Sequence, residues 1–96
     1  MARNKFRVEC GDGWGALIDP LIEGCKTEGV QIHQIKEKFG GLRFYTDGGE
    51  SLGLRAAIDR AERQSYRVCE VCGEPGIKRL GGWIKTLCDA HQGETN

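Results

Sequence analysis

Apolar residues Trp14, Leu17, Ile18, Leu21, Ile22 and Cys25 fall at i, i+3, i+4, i+7, i+8 and i+11, the stripe of one helix face. The stripe predicts a helix that opens at Asp12 or Gly13 and ends at Gly29. Pro20 inside it predicts a kink, or a restart with Asp19 as N-cap and Pro20 in the first turn. Ahead of it, Lys5 to Cys10 reads as a short strand. Past Gly29 the period changes to two: Val30 to Asp47 is rich in β-formers and is interrupted by Gly40-Gly41, a pair that suits a two-residue hairpin loop.

A turn at Gly40-Gly41 sets a register in which Phe39 opposes Leu42, Lys38 opposes Arg43, Glu37 opposes Phe44 and Lys36 opposes Tyr45. One face then carries Ile35, Phe39, Leu42 and Phe44, with Glu37 as an intruder; the other carries Lys36, Lys38, Arg43 and Tyr45. Lys38 opposite Arg43 is unfavourable in isolation. Three cations beside a tyrosine gain purpose if an anion docks on them, and this face is the candidate ligand-binding surface. The competing reading is a solvated face whose lysines discourage edge aggregation. Val30 to His33 alternates with opposite parity to Ile35 onward, which predicts a bulge near His33-Gln34, with His33 a half-exposed strand residue.

Asp47-Gly48-Gly49 marks a turn, and Glu50 or Ser51 opens a second helix running to about Tyr66. Leu54, Ala57, Ile58, Ala61 and Ser65 form its inner stripe, while Arg55/Asp59 and Asp59/Arg63 are i,i+4 pairs of a solvated face. Arg60, Arg63 and Arg67 add cations without requiring a function.

The strongest chemical signal lies downstream. Cys69-x-x-Cys72 and Cys88-x-x-His91 form two ligand pairs separated by 15 residues. Two-residue spacing lets one turn aim both side chains at a single tetrahedral Zn²⁺. Cys69 to Gly73 reads as a zinc knuckle; Ile77–Leu80 and Trp83–Leu87 flank Gly81-Gly82 as a second hairpin; Cys88 and His91 suit the first turn of a helix. This order of parts is that of a treble clef. Four protein ligands leave no open position, so the metal is read as structural rather than catalytic. Disulfides among these cysteines are the rival reading. Cys10 and Cys25 read as small buried apolar residues, Trp14 as core, and Trp83 as packing between lobe and body.

The expected fold is α+β: a small antiparallel sheet, its hairpin turned at Gly40-Gly41, packed on two helices, with a C-terminal treble-clef-like zinc lobe. A single domain, 1–96, divides into an α+β body, 1–67, and a zinc-stapled lobe, 68–96.

At 96 residues the core is modest, so a metal staple adds needed stability. Lys and Arg number 14 and so do Asp and Glu, giving zero net charge and weak long-range attraction to nucleic acid or anionic membrane. Met1 to Asp12 has no apolar run of a signal peptide, and no stretch approaches a bilayer-spanning length. With thiolate ligands, this points to a reducing cytoplasm.

Enzyme signatures are missing: no deaminase His-x-Glu with Pro-Cys-x-x-Cys, no Gly-x-Ser-x-Gly, no P-loop and no His-Glu-x-x-His. An HNH-type nuclease would need a histidine near the zinc hairpin; His91 is a ligand and His33 lies far upstream. The chain reads as a non-enzyme.

Gly13-Trp14 with its Leu-Ile helix, the run Ile35 to Tyr45, Cys69 to Gly73, and Gly82 to His91 together resemble a family of small, largely uncharacterised bacteriophage and prophage proteins, over about residues 11 to 92. The resemblance implies a phage accessory protein acting in the host bacterial cytoplasm and countering host defence.

Three functions follow as expectations. The first is sequestration of a small anionic, nucleotide-type signal by Lys36, Lys38, Arg43 and Tyr45. The second is an inhibitor or adaptor that binds a host defence protein through the hairpin face and Trp83. The third, ranked last for the neutral net charge, is nucleic-acid binding by Lys78, Arg79 and Lys85 on the zinc hairpin. A hairpin edge also offers a route to homo-oligomers; no membrane partner is expected.

Overall fold

A computed structural model describes residues 7–95, so Lys5 and Phe6 of the expected first strand lie outside the described residues. The body contains strand β1 (Arg7–Glu9), a 3-10 turn (Asp12–Trp14), helix α1 (Gly15–Glu28), strands β2 (Ile32–Lys38) and β3 (Gly41–Thr46), and helix α2 (Leu52–Gln64) followed by a 3-10 turn (Ser65–Arg67). Strands β4 (Ile77–Arg79) and β5 (Lys85–Leu87) form a separate hairpin, and a 3-10 segment (Asp89–Thr95) closes the chain. The α+β architecture matches expectation. The body sheet differs in one respect: it has order β1-β2-β3, with β1 parallel to β2 and β3 antiparallel.

The apolar stripes account for the helices. Trp14, Ile18, Leu21 and Cys25 are buried against Ile32, Ile35, Leu42 and Phe44 of the sheet and Leu54, Ile58 and Ala61 of α2. α1 passes through Pro20 without restarting, because Pro20 is exposed while its neighbours Ile18 and Leu21 hold the inner face. Ser51 caps α2 by accepting a hydrogen bond from the Leu54 N–H at 3.1 Å.

The hairpin is turned one residue earlier than Gly40-Gly41. Its loop is Phe39-Gly40, both at positive φ (54° and 85°), as a type I′ turn needs. Gly41 is already in β3, opposite Lys38; Glu37 opposes Leu42, Lys36 opposes Arg43 and Ile35 opposes Phe44. Moving the loop by one residue shifts the pairing by two positions, so the two faces keep their expected members, Phe39 excepted. Phe39 sits on the turn, 61% exposed. The register slips between Ile32 and Gln34, the bulge anticipated there, and His33 is exposed.

β3 would be a bare edge, but α2 covers it. The Leu42 N–H donates to Ser65 Oγ at 2.8 Å and the Phe44 N–H to the Glu62 carboxylate at 2.9 Å. An i,i+3 pair of polar side chains thus takes the place of a fourth strand.

The lobe is fastened to the body at two places. Gly13 donates its N–H to Glu70 O at 2.7 Å, and Trp14 Nε1 donates to Val68 O at 2.8 Å. A Cβ on Gly13 would lie 2.2 Å from Cys69 O, so only glycine permits this approach. At the hairpin tip, Thr86 Oγ1 donates to Gly40 O at 2.7 Å, and the Tyr66 ring lies flush on Gly41.

Two expectations for the lobe need correction. Gly81-Gly82 is not a tight turn, since the last β4–β5 pair is Arg79 with Lys85 and the five residues 80–84 form the loop. Ile84 leaves the ladder to pack beside Gly40. Trp83 does not pack between lobe and body: it is 66% exposed at the loop tip.

Candidate metal centre and the surface it supports

Cys69 and Cys72 come from the knuckle turn, in which the Gly73 N–H donates to Cys69 O at 2.9 Å. Cys88 follows β5, and His91 sits one turn later, its N–H donating to Cys88 O at 3.1 Å. The four donor atoms lie within 4.8 Å of one another. Cys69 Sγ is 3.7 Å from His91 Nδ1, Cys72 Sγ is 3.7 Å from Cys88 Sγ, and Cys88 Sγ is 3.3 Å from His91 Nδ1. Tetrahedral bonds of about 2.0–2.3 Å require donor separations of roughly 3.3–3.8 Å. Three of the separations fall in that range and the widest spread is 4.8 Å, so the four residues could close on one metal ion with only a small inward adjustment. All five cysteines of the chain are free thiols, so no disulfide competes.

The electrostatics favour a thiolate here. Burial pushes the Cys69 thiol up, but backbone N–H groups of Cys88, Cys72 and Val71 aimed at its sulfur outweigh burial and hold it at about 6. The Glu74 N–H lowers the Cys72 thiol, but burial, hydrogen bonds with the Cys69 and Cys88 sulfurs and the Cys69 charge together outweigh it and push it up.

Behind the centre lies a buried charge cluster that the sequence did not reveal. Lys85 Nζ sits 3.1 Å from a Glu37 oxygen and 3.3 Å from Glu70 Oε1. Glu37 also accepts the Gly40 N–H, and Glu70 also accepts the Gly11 N–H, both at 2.8 Å. One ammonium thus joins the hairpin turn, the knuckle and the chain entering α1. The intruding Glu37 on the apolar face is explained: it meets Lys85 beneath the lobe. Glu70, Asp12 and Glu37 stand near Cys10, which burial first and these carboxylates second push up to about 11; it is a proton-holding core neighbour, as expected, and not a ligand.

Of the other predicted site residues, Lys36, Lys38, Arg43 and Tyr45 share the outer sheet face. Lys36 Nζ stands 5.9 Å from the Tyr45 ring centre, and Lys38 Nζ stands 5.8 Å from the Phe39 ring centre. Arg43 is half-buried and lines a hollow with Asp59, Glu62, Arg63 and Tyr66. The cations proposed on the zinc hairpin are largely engaged: Arg79 pairs with Asp89 at 2.8 Å, Lys85 with its two glutamates, and Lys78 lies 4.9 Å over the Tyr66 ring.

The residue that spacing missed is Phe39; Trp83, expected as packing or as a partner contact, stands beside it. Lobe docking brings the two hairpin tips together, and Glu37, Lys38, Phe39, Gly82, Trp83 and Ile84 line a groove of about 430 Å³ between them. Phe39 holds a left-handed backbone, which is strained for a bulky residue.

No family model, curated protein or solved structure matches the chain. Among the described residues no helix is long and apolar enough to cross a membrane.

Proposed function

We propose that this chain is a non-enzymatic binding protein that takes a small anionic, nucleotide-type ligand, and that its Cys3His centre holds a structural Zn²⁺. The groove between the hairpin tips carries the reading. Its volume of about 430 Å³ falls in the range of small-ligand sites, and it joins two aromatic side chains to one cation, Lys38. Phe39 and Trp83 supply ring surface for a base, Lys38 supplies charge for a phosphate, and Lys36 and Arg43 extend the positive face beyond it. Lys85 offsets part of the Glu37 charge, although it is shared with Glu70. The phage resemblance supplies the setting: sequestration of a host defence signal in the bacterial cytoplasm.

Calorimetric titration with mononucleotides, dinucleotides and cyclic oligonucleotides tests this. The expected result is saturable binding of at least one class, weakened about tenfold or more by Trp83→Ala or Lys38→Met, since a lost stacking ring costs about 1–3 kcal/mol. Silence across the panel ends the reading.

A second reading has its own observation. Leu80 is exposed in the same loop as Trp83, which with Phe39 offers more apolar surface than one small ligand covers. It fits a host defence protein held by aromatic anchors. Capture of one host protein that is lost on Phe39→Ala, with nucleotides inert, would favour it.

A further inference from the structure

The last turn of α2 and the 3-10 turn after it carry a charge feature that neither the candidate metal centre nor the groove uses. Arg60, Arg63 and Arg67 stand at i, i+3 and i+7 and are all exposed. With Gln64 they line a hollow of about 190 Å³ that contains no carboxylate. The acids of α2 are committed elsewhere. Asp59, with Glu50 ahead of the helix, pairs with Arg55, and Glu62 turns to the Phe44 N–H. Among the described residues the three arginines form no ion pair. Arg63 also lines the adjoining hollow of about 260 Å³, where Arg43 adds a fourth guanidinium, although Asp59 and Glu62 border that one too.

The helix dipole favours one cation in a last turn and accounts for Arg63 or Arg67 alone. It does not account for three guanidiniums and an amide around one hollow, where like charges at i,i+3 and i,i+4 each cost a few tenths of a kcal/mol. A phosphate reverses that sign, and arginine forks are suited to it.

We propose that this seat takes the phosphates of a single-stranded nucleic-acid backbone. The hollow is below the roughly 300 Å³ at which sites begin to enclose a ligand, so a phosphate enters while the rest of the molecule stays outside. No aromatic ring lines the hollow, and the nearby Tyr66 is engaged by Gly41 and Lys78, so base stacking plays no part. The run extends about 10 Å along one helix row and continues through Arg63 to Arg43, the path of one chain and not of two strands across a groove. The contact is local, since the chain as a whole is neutral.

Fluorescence anisotropy of a labelled oligothymidylate, titrated with the full chain from low to moderate salt, tests the proposal. The expected result is salt-dependent binding. The triple variant Arg60→Ala, Arg63→Ala, Arg67→Ala should bind at least about tenfold more weakly and lose roughly two units of log–log salt slope, three contacts at about 0.7 each. Alanine keeps helix propensity, and circular dichroism with metal content verifies the fold. The triple variant should leave nucleotide binding in the groove unchanged, and Trp83→Ala should weaken that groove binding about tenfold, so the two readings fail separately. No binding at low salt, a triple variant indistinguishable from wild type, or tighter binding of a duplex of equal length would each overturn the proposal.

Discussion

Gly13 shows how a single residue links the body to the metal centre. Its backbone runs against the knuckle so closely that a methyl group would overlap Cys69 O and Glu70. Gly13→Ala should therefore destabilise the chain by about 3 kcal/mol, because the atoms in the way are backbone; urea unfolding measures it. Phe39 predicts the opposite sign. Its left-handed backbone costs about 1 kcal/mol that Asn would not incur, so Phe39→Asn should raise the unfolding midpoint while weakening ligand binding. Cys10 carries a pH prediction. Its folded pKa of about 11 lies above the 9.0 of a free thiol, so the folded state holds a proton that the unfolded state has lost. Its contribution is complete below pH 9 and falls as pH rises towards 11. In Cys10→Ala the loss of stability over this window should be shallower, as thermal melts across alkaline pH would record.

At the scale of elements, the covered edge of β3 carries the next expectation. Ser65→Ala leaves the buried Leu42 N–H without an acceptor, at a cost of about 1–3 kcal/mol. Hydrogen exchange at Leu42 should accelerate more than exchange along the β2–β3 ladder. The same edge argues against homo-oligomerisation through β3, since α2 already occupies its donors. Much of this level was legible in the residues. The apolar stripes of α1 and α2, the Ser51 cap and the bulge near His33 follow from periods and side-chain chemistry acting over a few residues. The turn did not. Gly40-Gly41 and Phe39-Gly40 are both possible loops, and a bulky residue at positive φ is the locally worse one. Tertiary contact selects it: Gly41 must lie under Tyr66, and Gly40 must meet Thr86.

For the molecule as a whole, the metal centre, the Lys85 cluster and the groove form one mechanical series. The centre holds the knuckle; Glu70 on the knuckle holds Lys85; Lys85 holds Glu37, which caps the turn bearing Phe39. Elemental analysis should return one Zn per chain, lost in Cys88→Ser. Removing the metal with a chelator should speed exchange at Gly13 and Gly40 before it affects Ile35 and Ile58 of the core, and should weaken groove binding even where the body stays folded. Lys85→Met should reproduce the effect with the metal retained. It leaves the buried Glu70 and the half-buried Glu37 without their cation, a loss of up to about 3 kcal/mol. Equal ligand affinity with and without metal would refute the coupling.

The Cys/His quartet that could hold a metal, the two helices and the partition of the sheet into an apolar and a cationic face are determined by the sequence alone. Each depends on spacing within a turn or on a period of two or 3.6, which short-range backbone geometry enforces. Which turn the hairpin takes, why Glu37 faces inward, that Lys85 is consumed by two glutamates and that Trp83 is free beside Phe39 were decided only when the lobe met the body. These outcomes join residues far apart in the chain, and no local period encodes which charge will find which partner once two surfaces close.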